Sequence, residues 1–336
     1  MTTDVRAAYR RCEEITWSQA RNFSYGIRLL PPAKRQALAA VYAFARRIDD
    51  IGDGTLPAPE KLTLLEEARG ELSALQAGDV DDGDEVLVAL ADAAARFDIP
   101  LPAFGELIDG CVADVRGVSY ATFDDLLHYC RCVAGSIGRL SLGVFGTTDP
   151  QQAVPLADSL GVALQLTNIL RDIREAYTTG RVYLPAEDFA RFGCTLGDFS
   201  LPAPGDGSAG AVPPPSLPAP GDGSAGALPP PATDPGHSRL TALVEFEAAR
   251  ARTWYAKGLA LMPLLDRRSA ASAGAMAGIY YRLLEHIAAS PAAVLTRRVS
   301  LSAREKAAVA VKSLATAAVR PPRRRPRAAA APRAAR

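Results

Sequence analysis

Apolar residues recur at intervals of three and four along most of this chain, the spacing that builds one apolar face of a helix. The pattern predicts helices over 5–23, 33–50, 59–76, 85–97, 102–116, 123–142, 151–175, 237–263, 269–290 and 302–318. In the second of these, Leu38, Val41, Tyr42, Ala45 and Ile48 form a stripe, Pro31 and Pro32 precede it, and Gly52, Gly54 and Pro57 end it. Thr122 before Phe123, with Asp125 three residues on, has the order of a capping box. Gly135 and Gly138 cost the 123–142 helix roughly 1 kcal/mol each relative to Ala, which points to close helix contact or to a ligand near the backbone. The acidic run 79–85 reads as a solvated turn. Runs of β-branched residues are short, so the fold class expected is all-α.

The texture changes after residue 199. LPAPGDGSAGAVPPP at 201–215 returns at 217–231 as LPAPGDGSAGALPPP, a period of sixteen with one Val-to-Leu change. Such a segment buries too little apolar surface to offset its ordering entropy. We therefore read 200–238 as a flexible insertion within one all-α domain formed by 1–199 and 239–319. The seventeen residues 320–336 carry seven Arg and no acid and read as a disordered basic tail. The net charge of +1 thus leaves −6 on everything before the tail, which argues against nucleic acid as a partner. The tail could meet anionic lipid head groups. Five Cys without a CxxC pair, and a polar N-terminus unlike a signal peptide, suit a reducing cytoplasm. No apolar run reaches the roughly 18–20 residues of a membrane span. The localisation expected is cytoplasmic, with room for peripheral contact at the inner face of the membrane.

Two acidic clusters carry the chemistry. Asp49 and Asp53 stand four residues apart on one helical face, and Asp172 with Glu175 ends the 151–175 stretch. Paired carboxylates on an apolar wall repel each other unless a cation lies between them. Oxygen ligands without His or Cys favour Mg²⁺, with Mn²⁺ as a substitute, and Mg²⁺ completes its shell with water and substrate phosphates. Facing clusters of this kind would grip a diphosphate. Gln165 and Asn168 share the face of Asp172, at spacings of seven and four. A carboxylate-bridged di-iron bundle is excluded, because none of the three His (128, 237, 286) sits in a Glu-x-x-His pair.

The order of motifs resembles the squalene/phytoene synthase family. The matching runs are 22–31 (NFSYGIRLLP), 42–50 (YAFARRIDD), 133–138 (VAGSIG), 164–172 (LQLTNILRD), 180–185 (GRVYLP), 276–281 (MAGIYY) and 298–302 (RVSLS). The resemblance implies an isoprenoid synthase fold with a central apolar cavity and Mg²⁺-dependent head-to-head joining of two isoprenyl diphosphates. It further implies that Asp49, Asp53 and Asp172 hold the metal and that Arg46, Arg171 and Arg181 bind diphosphate. Gln165 and Asn168, on the face of Asp172, could order a metal-bound water or a diphosphate oxygen, and Glu175 is a further candidate ligand. Asn22 and Tyr25 would flank the mouth of that site. Phe23, Tyr42, Tyr129, Leu164 and Tyr280 are candidates for the cavity wall, and Tyr129 or Tyr183 would steady a carbocation through the ring face or pass a proton.

The 26–31 and 298–302 runs look most like presqualene diphosphate synthases of bacterial hopanoid pathways, which join two farnesyl diphosphates without NADPH and hand the product to a downstream squalene-forming enzyme. Phytoene synthases, which join two geranylgeranyl diphosphates, are the alternative. Two positions depart from the family. Ala176 stands where a second Asp is expected four residues after Asp172, with Glu175 beside it but about 100° away around an unbroken helix. Arg131 replaces a Tyr expected in the cavity wall. Ala176 also opens a reading of another class, a non-catalytic protein that binds prenyl diphosphates or serves in assembly.

Overall fold

Every regular element among the described residues is helical. The computed structural model describes residues 4–20, 22–200 and 235–319, so the tandem repeats and the basic tail lie outside it. The helices are α1 (Val5–Gln19), α2 (Phe23–Ile27), α3 (Pro32–Asp53), α4 (Ala58–Ala77), α5 (Glu85–Arg96), α6 (Pro102–Val115) and α7 (Phe123–Cys130). After a π turn at Arg131–Gly135 come α8 (Ser136–Phe145), α9 (Pro150–Arg171), α10 (Ile173–Thr178) and α11 (Ala186–Phe192). Then follow α12 (Pro235–Gly258), α13 (Arg267–Ala289) and α14 (Ala303–Val319), with 3₁₀ turns at Leu196–Ser200, Leu259–Leu264 and Pro291–Leu295. α12 thus starts at Pro235, inside the range read as insertion, with proline in the first turn where its missing N–H costs nothing.

Local chemistry explains most boundaries. Asp84, Asp149 and Asp266 cap α5, α9 and α13 through their side chains, and Thr122 and Asp125 form the expected capping box on α7. α4 stops at Gly78, which takes the left-handed conformation at φ 80°. The stripe on α3 is buried at Leu38, Val41, Ala45 and Ile48, and the helix runs on to Asp53, so both carboxylates of the first cluster sit in its last two turns.

Three long predicted helices are broken where it matters for the cavity, and the 237–263 stretch passes from α12 into a 3₁₀ turn at Leu259. The 5–23 stretch ends at Gln19, and α2 restarts with a different rotation. The 123–142 stretch carries the π turn, which inserts an extra residue per turn and re-aims the side chains around it. The 151–175 stretch breaks at Asp172, whose backbone (φ −105°, ψ 13°) leaves the helix before α10 begins. Asp is suited to such a junction because its short carboxylate competes with the helical ladder.

α9 is the central helix and packs against α8, α12 and α13. It is buried on several faces at once and reads as apolar throughout. Its twenty-two residues are therefore, contrary to the expectation above, long and apolar enough by length and composition to cross a membrane, though 61% of the relevant window is buried in the protein. Small residues let the neighbouring backbones approach. A Cβ on Gly161 would lie 2.4 Å from the Ala134 carbonyl oxygen, and one on Gly138 would lie 2.6 Å from that of Ala157. Close helix contact accounts for Gly138, and Gly135 is crowded in the same way by the Asp158 carboxylate at 2.8 Å.

Candidate active site

A cavity of about 880 Å³ opens between α3, α6, α8, α9 and α13. Along α3 its wall is Leu38, Val41, Tyr42, Ala45, Arg46, Asp49 and Asp53, the three- and four-residue spacing of one face. Along α9 it is Ala157, Leu160, Gly161, Leu164, Gln165, Asn168 and Asp172. Fifteen residues separate Leu38 from Asp53, and Ala157 from Asp172, which is about 22 Å of helix at 1.5 Å per residue. The cavity-facing residues are ionic at the C-terminal ends of both helices and apolar toward the other ends. The cavity therefore has a charged mouth and a hydrocarbon floor.

At the mouth acids and arginines pair both along and between the elements. Arg181 Nη1 lies 3.1 Å from Asp53 Oδ1. Arg171 holds Asp172 through Nε at 2.8 Å and through a second short contact. Arg298 reaches the same carboxylate at 2.9 Å and Glu175 at 3.6 Å. Arg46 pairs with Asp50, while its buried Nε has no protein partner. Burial opposes the charge on Arg181, but Tyr183, Asp53 and Asp114 outweigh it and raise its pKa. Burial and the adjacent Asp53 push the Asp49 carboxyl up to about 7.

Behind Asp53 lies Asp114 of α6, whose two oxygens accept hydrogen bonds from Tyr129 at 2.8 Å and Tyr183 at 2.9 Å. The two phenol rings stack at 5.4 Å. Burial raises the Asp114 pKa against those two hydrogen bonds. Burial also lifts Tyr129 well above the usual phenol value, so both rings stay protonated.

Of the candidate residues, Asp49, Asp53, Asp172, Glu175, Arg46, Arg171, Arg181, Gln165, Asn168, Tyr129 and Tyr183 all line this cavity. Asn22 and Tyr25 do not. The restart of α2 turns Phe23 and Ile27, four residues apart, toward the cavity and leaves Tyr25 packed against the core. Tyr280 stands one layer back, its ring 5.5 Å from that of Phe23. Arg131 is exposed and absent from the wall, so its exchange for Tyr leaves the cavity intact. The break at Asp172 also changes the geometry of the second cluster. Glu175 and Ala176 both reach the mouth, rather than Glu175 pointing away. Asp114, Lys61 and Arg298 were missed. Asp114 had a signal, since it continues the buried face of Leu107 and Cys111 at helical spacing. Arg298 stood in a quoted motif without a role.

Among the described residues no three His, Cys, Asp or Glu come close enough to hold an ion unaided. Carboxylate and amide oxygens are a donor set that Mg²⁺ accepts when phosphate oxygens complete its shell. Asn168 lines the cavity, and its Oδ1 is buried with no protein partner while its Nδ2 donates to Gln165 at 3.4 Å.

Comparison with known proteins agrees with this geometry. A sequence model described as squalene/phytoene synthase matches residues 18–212 and 226–305. A phytoene synthase of Mycobacterium tuberculosis is 45% identical over 314 residues, covering 94% of this chain and 93% of that protein. Another from Arthrospira platensis is 39% identical over 203 residues, 57% of this chain and 65% of that protein. Among solved structures, a dehydrosqualene synthase in complex with ligand superposes with a TM-score of 0.77 at 26% identity, covering 93% of this chain and 97% of that one.

Proposed function

The chain belongs to the squalene/phytoene synthase family, and from that premise we propose that it is a phytoene synthase joining two geranylgeranyl diphosphates head to head. The observation that carries the choice of substrate is the 45% identity to a phytoene synthase across 94% of the chain. This likeness outweighs the two short runs that favoured presqualene diphosphate synthases.

In this reading Asp49, Asp53 and Asp172 hold Mg²⁺, assisted by Asn168 and Glu175. When bound, the ion supplies Lewis-acid stabilisation of charge on the departing diphosphate. Arg46, Arg171, Arg181 and Arg298 present guanidinium forks to phosphate oxygens, a geometry that suits bidentate contact. The orphan Nε of Arg46 gains a partner there. Phe23, Tyr42 and Leu164 keep water from the allylic cation. Tyr129 and Tyr183, fixed by Asp114, stand at the boundary between ionic mouth and apolar tunnel, where a ring face stabilises positive charge. No nicotinamide cofactor enters. The hydrocarbon product partitions into lipid, so the proposal includes a cytoplasmic protein that touches the membrane face.

The test is product analysis with purified protein, Mg²⁺ and geranylgeranyl diphosphate, without NADPH. Phytoene is expected. Presqualene diphosphate formed from farnesyl diphosphate, with the longer substrate inert, would install the alternative and its downstream squalene-forming partner. No turnover with retained diphosphate binding, in both the native protein and Ala176→Asp, would establish the non-catalytic reading.

A further inference from the structure

The floor of the cavity rests on a polar cluster that the reaction does not use. Lys34 is the third residue of α3, where the helix dipole disfavours a cation, and its side chain is only 23% exposed. Both features cost stability locally, so the residue has to be explained by its partners. Its ammonium donates to the Phe145 carbonyl, to Asp266 Oδ2 at 2.7 Å and to Ser269 Oγ at 3.1 Å. Phe145 is the last residue of α8, so Lys34 serves an orphan carbonyl at a helix C-terminus, where a cation is favoured. The buried Ser269 hydroxyl lies 2.7 Å from Asp266 Oδ2 and 3.3 Å from the same Phe145 carbonyl. Asp266 Oδ1 also accepts from the backbone N–H groups of Arg268 and Ser269, fixing the start of α13.

One ammonium thus ties α3, α8 and α13 together, and each anchor lies at or one turn from a residue of the apolar end. Leu38 follows Lys34 by four residues, Ala273 follows Ser269 by four, and Phe145 itself lines the cavity. We propose that Lys34 is a positioning residue for chain-length selection: it fixes Leu38, Phe145 and Ala273 as the floor against which the tail of the isoprenyl chain stops. This rests on the reading that an isoprenyl diphosphate lies with its head at the acidic mouth. The lock is what gives the stop a definite depth, since a floor built from three separate helices would otherwise yield to one more isoprene unit.

The experiment measures kcat/KM for the preferred isoprenyl diphosphate and for the diphosphate one isoprene longer, in the native protein, Lys34→Met, Lys34→Arg and Ser269→Ala. Lys34→Met should raise the longer-to-preferred ratio about tenfold or more, the scale on which apolar pockets discriminate chain size. Lys34→Arg should return it toward the native value, and Ser269→Ala, with the ammonium kept, should give a smaller rise. A folded Lys34→Met protein that melts at lower temperature but keeps the native ratio would reduce Lys34 to a fold staple and overturn the proposal. If Lys34→Met does not fold, an unchanged ratio in Ser269→Ala overturns it. The ratio is taken against whichever substrate the native protein prefers. A preference for farnesyl diphosphate would therefore defeat the phytoene reading while still testing the lock.

Discussion

Asp49→Asn lowers kcat by about 10²–10³-fold at saturating Mg²⁺, the usual cost of losing one preorganised electrostatic contact, and at the same time makes the metal-free protein more stable above neutrality. Both effects come from one carboxylate. Asp49 faces the mouth of the cavity with Asp53 one turn away, and burial together with that like charge pushes its pKa from 3.8 to about 7. The folded protein therefore binds a proton more tightly there than the unfolded chain does. The Asp49 contribution to stability is complete below about pH 4 and is lost as pH rises through about 7. Asparagine removes that loss, for a gain of about 1–2 kcal/mol at pH 8 after allowing for solvent screening in the cavity. Chemical denaturation in chelator across pH 4–8 measures it. The native curve should fall toward neutral pH and the variant curve should be flatter. Equal slopes would mean that Asp49 is not held in a destabilised state for the sake of its ligand.

The largest effect on stability belongs to Arg250→Ala. Arg250 of α12 lies 2.6 and 3.1 Å from the two oxygens of Asp188 on α11 and 2.7 Å from Glu247. Both carboxylates are buried, at 2% and 1% exposure. The guanidinium also stacks 4.0 Å from the Phe123 ring. Removing it leaves the Asp188 carboxylate in the core without a counter-charge, joined by that of Glu247 above about pH 8, and breaking a buried pair from one side costs about 3–5 kcal/mol. Burial pushes Glu247 up to about 8 even with Arg250 present. Its stabilising contribution is therefore present below about pH 4.5 and is lost as pH rises through 8. The Ala variant should lose more stability at pH 9 than at pH 6, where Glu247 can stay protonated. Guanidinium denaturation at the two pH values decides this, and a pH-independent loss would show that the ring contacts matter more than the charges.

These two sites differ in how far the sequence alone reveals them. The helical periods locate the long helices and put Asp49 with Asp53, and Gln165 with Asn168 and Asp172, on the faces that meet in one cavity. Arg46, Arg171, Arg181, Tyr129 and Tyr183, by contrast, were legible only through the resemblance to the family. The breaks were not legible. Nothing in the periodicity between 123 and 142 marks the π turn, and Asp172 looks like one more polar residue on a helical face until its backbone turns out of the ladder. Those breaks decide where Glu175 and Ala176 point, and the one before α2 decides that Phe23 and Ile27 face the cavity while Tyr25 does not. The role of Arg298 and the Lys34 cluster depend on contacts between elements far apart in the chain, such as the 235 positions from Lys34 to Ser269. No local pattern predicts contacts of that kind.

The measurement that tests the central claim most directly is a competition, with equimolar farnesyl and geranylgeranyl diphosphate in one vessel with the native protein and Mg²⁺, read by the chain length of the products. A chain this similar to phytoene synthases should give phytoene as the main product. A mixture dominated by presqualene diphosphate would contradict the account and show that the apolar end stops the chain one isoprene unit earlier.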